Sequence, residues 1–163
     1  MKKILIALAL FSSLSVSANQ DAEVLGVTFG STCEETVQKL NKDYGAPKSQ
    51  SADKLVYLNE MFEGFKADRV ELGFQDLQGT TKLNQARFYF VCPNKAAAIA
   101  RMKSLVKKME TRYSVSYDEE DGGTAFYKGG NSPLGIGCLF TIFVSPYQGK
   151  WTCQLRYGKF QFK

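Results

Sequence analysis

The stretch Thr32-Cys33-Glu34-Glu35-Thr36-Val37-Gln38-Lys39-Leu40-Asn41-Lys42-Asp43-Tyr44-Gly45-Ala46-Pro47 decides how the chain is read. Thr32 followed three residues later by Glu35 is a capping box, in which each side chain satisfies the other residue's orphan backbone N–H. Cys33, Val37, Leu40 and Tyr44 recur at helical spacing and make one apolar stripe, with Glu34, Lys39 and Lys42 turned away. Gly45 suits a left-handed exit and Pro47 prevents continuation. The pattern returns 69 residues later, where Val106-x-Lys108-Met109-x-x-x-Tyr113 repeats Val37-x-Lys39-Leu40-x-x-x-Tyr44. It falls in a second amphipathic segment, Asn94 to Tyr113. The apolar arc there comprises Ala98, Ile99, Met102, Leu105, Val106, Met109 and Tyr113.

Between and after the two helices the periodicity changes to two. Leu55 to Asn59 is a short strand. Val70, Leu72 and Phe74 alternate with Glu71, Gly73 and Gln75, and Ala86, Phe88, Phe90 and Cys92 alternate with Arg87, Tyr89 and Val91. Further strands are expected at Ser114 to Tyr117, Ala125 to Lys128, Gly135 to Val144 and Lys150 to Phe162. Such alternation marks a half-buried antiparallel sheet. The predicted class is α+β: two amphipathic helices packed on antiparallel sheet. The halves 19–93 and 94–163 read either as a duplicated α-β-β-β unit or as two similar helices that both end in Tyr.

The first eighteen residues read as a signal peptide. Lys2 and Lys3 are its basic start, Ile4 to Phe11 its short apolar core, and Val16-Ser17-Ala18 a small-residue cleavage site. The apolar run is shorter than the roughly 20 residues a membrane-spanning helix needs, and no transmembrane segment is expected later. The expected product is a single domain, 19–163, that is exported to the periplasm or the medium. Removing Lys2 and Lys3 leaves 19 basic against 16 acidic side chains, net +3, too mild to predict a nucleic-acid partner. Residues 19–93 carry 8 basic and 11 acidic side chains, and residues 94–163 carry 11 and 5.

All four cysteines, Cys33, Cys92, Cys138 and Cys153, lie on inferred core-facing positions. An even number in an exported domain predicts two disulfides, in any of three pairings. A turn at Pro146-Tyr147-Gln148-Gly149 sets Ser145 against Lys150 and Ile142 against Cys153. Cys138 then faces Tyr157, four residues out of register with Cys153, which disfavours a Cys138–Cys153 bond. There is no Cys-x-x-Cys redox motif and no spacing suited to a zinc site.

The chain has no His, which removes triads, HExxH zinc sites and imidazole acid–base chemistry. No Walker loop or GxGxxG occurs. Two carboxylates could still run a hydrolysis, but no acid stands in an apolar context that would tune it. No catalytic residue, cofactor or metal is expected. Asp118-Glu119-Glu120-Asp121-Gly122-Gly123 lacks the EF-hand spacing and reads as a solvated turn. Met61-Phe62-Glu63-Gly64-Phe65 reads as a loop between strands, where Phe62 and Phe65 are either binding anchors or core closure beneath the loop; Tyr89 points outward from its strand, and Tyr147 sits at a hairpin tip. Together with Arg101, Lys108 and Arg112, on one flank of the second helix, they form the candidate binding surface.

Gly30-Ser31-Thr32-x-x-Glu35-x-Val37-x-x-Leu40, followed by Gly45-Ala46-Pro47, resembles the opening of small bacterial envelope proteins of the SmpA/OmlA (BamE-like) and beta-lactamase-inhibitor-like type. The resemblance implies helices paired with antiparallel sheet and action by binding other proteins. The chain departs from the outer-membrane assembly family in lacking a lipid-anchor Cys and in having a second half and four cysteines. No functional residue is carried over. The expectation is an exported, non-catalytic binding or inhibitor-like module for a protein or envelope component. The alternatives are an envelope-assembly or structural accessory protein and a carboxylate-dependent hydrolase.

Overall fold

A computed structural model describes residues 22–120 and 124–163. The expected signal peptide and Asp121-Gly122-Gly123 lie outside the described residues. A small hairpin, β1 (Glu23–Val24) and β2 (Val27–Thr28), precedes α1 (Cys33–Tyr44). At the start of α1 the Thr32 N–H donates to Glu35 Oε2 at 2.7 Å and the Glu35 N–H donates to Thr32 Oγ1 at 3.2 Å. The first of these bonds, to a backbone N–H, holds the Glu35 carboxyl below its ordinary pKa. Gly45 closes the helix at φ 70° with its N–H on the Asn41 carbonyl. The buried line of α1 runs through Thr36 and Leu40, with Cys33, Val37 and Tyr44 half-buried beside it. Thr36 is admitted because its hydroxyl bonds back to the Thr32 carbonyl at 2.7 Å.

Four strands follow: β3 (Ser49–Gln50), β4 (Lys54–Phe62), β5 (Phe65–Leu77) and β6 (Thr80–Cys92). Then α2 (Lys95–Met109), N-capped by Asn94, buries Ala98, Met102, Leu105, Val106 and Met109. Four more strands complete the domain: β7 (Val115–Glu120), β8 (Thr124–Asn131), β9 (Cys138–Tyr147) and β10 (Lys150–Tyr157). They form one antiparallel sheet of eight strands in the order β3-β4-β5-β6-β10-β9-β8-β7. Each half is therefore a helix followed by four strands, not three. The order reads symmetrically from both edges, and β6 and β10 join the halves.

Among the described residues three two-residue turns fix the register of the eight-stranded sheet, and Leu25-Gly26 closes the small hairpin in the same way. Glu63-Gly64, Gln78-Gly79 and Gln148-Gly149 each place both residues at positive φ, the type I′ geometry that matches strand twist and favours Gly second. This corrects two expectations. Met61 to Phe65 is a strand end, a turn and a strand start rather than a loop. The last hairpin turns at Gln148-Gly149, so Tyr147 pairs with Lys150 and Cys153 faces Val144, not Ile142. Tyr157 likewise faces Phe140, not Cys138. The four-residue turn read from Pro146 loses because Pro146 continues the edge of β9. A further correction concerns Asp118 to Glu120, which belong to β7 and not to a turn; Asp118 pairs with Lys128 across β7–β8.

Both helices lie on the same side of the sheet. Between them and the strands is an aromatic core: Phe62 packs on Phe88 at 4.3 Å, and Tyr157 stands 6.2 Å from Phe88 and 5.7 Å from Phe140. Each such ring removes about 150–250 Å² from water when it is buried. Among the described residues no helix is long and apolar enough to cross a membrane.

Candidate functional site

With both helices on one side, the residues of opposite parity line a sheet face that no helix covers. On the two central strands these are Gln85, Arg87, Tyr89 and Val91 of β6, and Thr152, Gln154 and Arg156 of β10. Phe143, Ser145 and Tyr147 of β9 and Arg69, Glu71 and Gly73 of β5 extend the surface. This open face is the candidate site.

Its centre is held by side-chain contacts within the sheet. The Tyr89 ring lies against Tyr147 with centroids 4.5 Å apart. The Tyr89 hydroxyl donates to Glu71 Oε2 at 3.3 Å, and the other Glu71 oxygen accepts from Arg69 Nε and Nη2, each at 2.8 Å. Burial raises the Tyr89 pKa, so the phenol remains a donor at neutral pH. Gln154 Nε2 donates to Thr152 Oγ1 at 2.9 Å, and that hydroxyl donates to the Ser145 carbonyl at 2.7 Å. The Arg156 guanidinium lies over the Phe143 ring at 5.1 Å. Leu58 and Val91, 38% and 40% exposed, add apolar edges. Tyr and Arg on rigid strands with apolar neighbours are the residue types enriched at protein interface centres.

The structure divides the candidate surface read from sequence. Tyr89 and Tyr147 fall together on the open face, but Tyr89 is only 3% exposed, so its outward parity does not make it a free aromatic anchor. Tyr147 covers it. Phe62, 6% exposed, is a core residue on the helix side. Phe65 is half-buried there beneath the Arg101 guanidinium, 5.2 Å from its ring. Arg112 pairs with Glu63 on that side too, and Lys108 is exposed on the outer surface of α2. Gln85, Arg87, Phe143, Gln154 and Arg156 were not singled out from sequence. Their alternation was readable, but not which face the helices leave bare.

A second concavity, about 1580 Å³, opens on the helix side between the ends of α1 and α2. Tyr44, Met61, Glu63, Arg112, Tyr113 and Cys138 are among its walls. Its carboxylates are Glu23 and Glu63, and Glu63 is engaged by Arg112. Among the described residues no group of three His, Cys, Asp or Glu is placed to hold a metal ion.

The cysteines carry free thiols. Cys92 and Cys153 are buried on the core face of adjacent strands, where Trp151 pairs with Cys92 and Phe90 with Cys153. The Cys92 thiol bonds to the Phe90 carbonyl at 3.4 Å and so leans towards Cys153. Desolvation pushes the Cys153 pKa up to about 12. Cys33 is half-buried at the start of α1, and Cys138 is half-buried at the start of β9.

Compared with family models, curated proteins and solved structures, the chain matches none.

Proposed function

We propose that the protein is an exported, non-catalytic binding module that docks a folded protein partner on its open sheet face, in the manner of an inhibitor or an envelope accessory factor. One observation carries this reading. The centre of an eight-stranded sheet is left uncovered by both helices, and Tyr147, Phe143, Arg87 and Arg156 stand there in a fixed arrangement over the buried Tyr89, Thr152 and Gln154. Strand-borne side chains locked by their neighbours lose little conformational freedom on binding, which lowers the cost of association. The leader-like N-terminus supports an activity outside the cytoplasm, in the periplasm or the medium, where the four cysteines would be oxidised in pairs.

The test compares capture from envelope extracts and culture medium by three forms of the full chain. These are wild type, the double variant Tyr147→Ala with Phe143→Ser, and Lys103→Glu on the exposed side of α2. The reading expects one specific protein to be retained by wild type and Lys103→Glu and lost by the double variant with its fold intact by circular dichroism. Retention by the double variant and loss by Lys103→Glu would move the binding surface to the helix side. Co-fractionation of the captured protein with an outer-membrane complex would favour the accessory role over inhibition of a soluble target.

A further inference from the structure

The seam between β6 and β10 brings together two groups that repel each other. Arg87 and Arg156 are direct register partners at the centre of the open face. Directly opposed side chains on antiparallel strands start about 4.5–5.5 Å apart at Cβ, and like charges placed so are destabilising. Among the described residues neither arginine forms an ion pair. The paired carboxylates are engaged by other cations, Glu71 by Arg69, Glu63 by Arg112 and Asp118 by Lys128, although Glu71 is the register partner of Arg87 on β5.

The two guanidinium groups are nevertheless held. In the orientation of the Gln85 amide that satisfies both residues, its oxygen accepts from Arg87 Nε and Nη2, each at 2.9 Å. Arg156 is fixed on the Phe143 ring, and its Nε is buried with no hydrogen-bond partner. A buried donor left unmet is costly, more so on a charged group. Burial, followed by the charge of Arg87, lowers the pKa of Arg156. The charges around the pair are mixed with a basic excess. By strand parity Lys54, Arg69, Lys82, Lys128 and Lys150 share this face with three acids, Glu71, Asp118 and Glu120, and Asp118 is engaged by Lys128.

We infer that Arg87 and Arg156 form a carboxylate receptor that takes an Asp or Glu side chain of the docked partner protein. The inference rests on the docking reading above and names what that partner must present. A carboxylate offers two oxygens in a plane, one for the terminal Nη donors of each guanidinium, and so can bridge the two arginines. It would offset the like-charge contact through the terminal Nη groups of the two arginines. The rings of Tyr89, Tyr147 and Phe143 beside the pair favour a protein surface over a bare polyanion, since aromatic and arginine side chains together mark protein interface centres.

The receptor can be tested without the partner. N-acetylglutamate is titrated into the folded full-length mature chain at constant ionic strength, with chloride as control and inorganic phosphate as the competing probe. The Nε–H resonances of Arg87 and Arg156 are followed by NMR. The expected result is a saturable shift of both resonances with N-acetylglutamate, little movement of Arg69, and about tenfold weaker binding in Arg156→Gln, as for loss of a charge-assisted hydrogen bond. Arg156→Lys keeps the charge but removes the fork, and should weaken binding nearly as much if Arg156→Gln proves poorly folded. No saturable shift beyond chloride would overturn the receptor. Tighter binding of phosphate than of N-acetylglutamate would overturn the carboxylate assignment in favour of a phosphate-bearing ligand. If partner capture survives Arg156→Gln while the titration fails, the receptor falls and the docking face stands.

Discussion

Gly129 of β8 and Phe140 of β9 are cross-strand partners, and the Phe140 ring fills the space a side chain at 129 would need. An added Cβ would stand 2.7 Å from Phe140 Cζ and 2.8 Å from the Ser114 carbonyl oxygen. Neither neighbour can yield cheaply. Phe140 is wedged between Tyr113, at 5.3 Å, and Tyr157, at 5.7 Å. Gly129→Ala is therefore expected to destabilise the domain by about 1–3 kcal/mol, the usual cost of overpacking. A melting temperature equal to that of wild type would show that the sheet edge relaxes and that this packing is not rigid.

The capping box gives a second prediction. Thr32→Ala removes the acceptor of the Glu35 N–H and should cost about 1 kcal/mol, whereas Thr32→Ser should cost little. The Glu35 half of the box depends on pH. Its carboxyl has a lowered folded pKa, so its contribution is complete above about 4.5 and is lost as pH falls through the folded value. Denaturant unfolding of Glu35→Gln and wild type should converge at acid pH. A difference independent of pH would refute the ionic form of the cap.

Alkaline behaviour should report on Cys153. Its folded pKa is raised from 9.0 to about 12, so folding favours the neutral thiol. The stability this contributes is complete below pH 9 and is lost as pH rises towards 12. Reduced wild type should therefore lose stability over that window more steeply than reduced Cys153→Ala, in urea unfolding at a series of pH values. Parallel curves would mean that the thiol is not desolvated.

Oxidation is expected to join Cys92 to Cys153. They share the core face of the central strand pair and lie two positions apart along it, with the Cys92 sulfur inclined towards the other. Diagonal neighbours are about 7–8 Å apart, close to the upper limit for a disulfide, so a small shear of the strands suffices. Cys138 is six positions from Val144, the partner of Cys153. Non-reducing peptide mapping should recover Cys92 linked to Cys153; recovery of Cys138 linked to Cys153 would contradict the observed register.

What was legible in the sequence was local. Thr32 and Glu35 are three residues apart, and the alternation Ala86, Phe88, Phe90, Cys92 spans seven. Such patterns are set by neighbours along the chain, so the two helices, most strands and the α+β class could be read. The last hairpin was misplaced because Pro146 and Gln148-Gly149 both carry turn chemistry, and only pairing of the whole β9–β10 ladder decides between them. Phe62 read either as a binding anchor or as core closure, and the structure decides for the core because Phe88, distant in sequence, packs on it.

The sequence by itself determined where the helices start and stop, which residues alternate across the sheet, and that imidazole chemistry is missing. Only the tertiary structure decided that both helices settle on one face, that β6 meets β10, and that Arg87 therefore confronts Arg156 across 69 positions of chain. The reason is physical. Capping and alternation are satisfied by contacts within a turn or a strand, whereas the choice of uncovered face and central seam depends on how the apolar faces of distant elements are buried together.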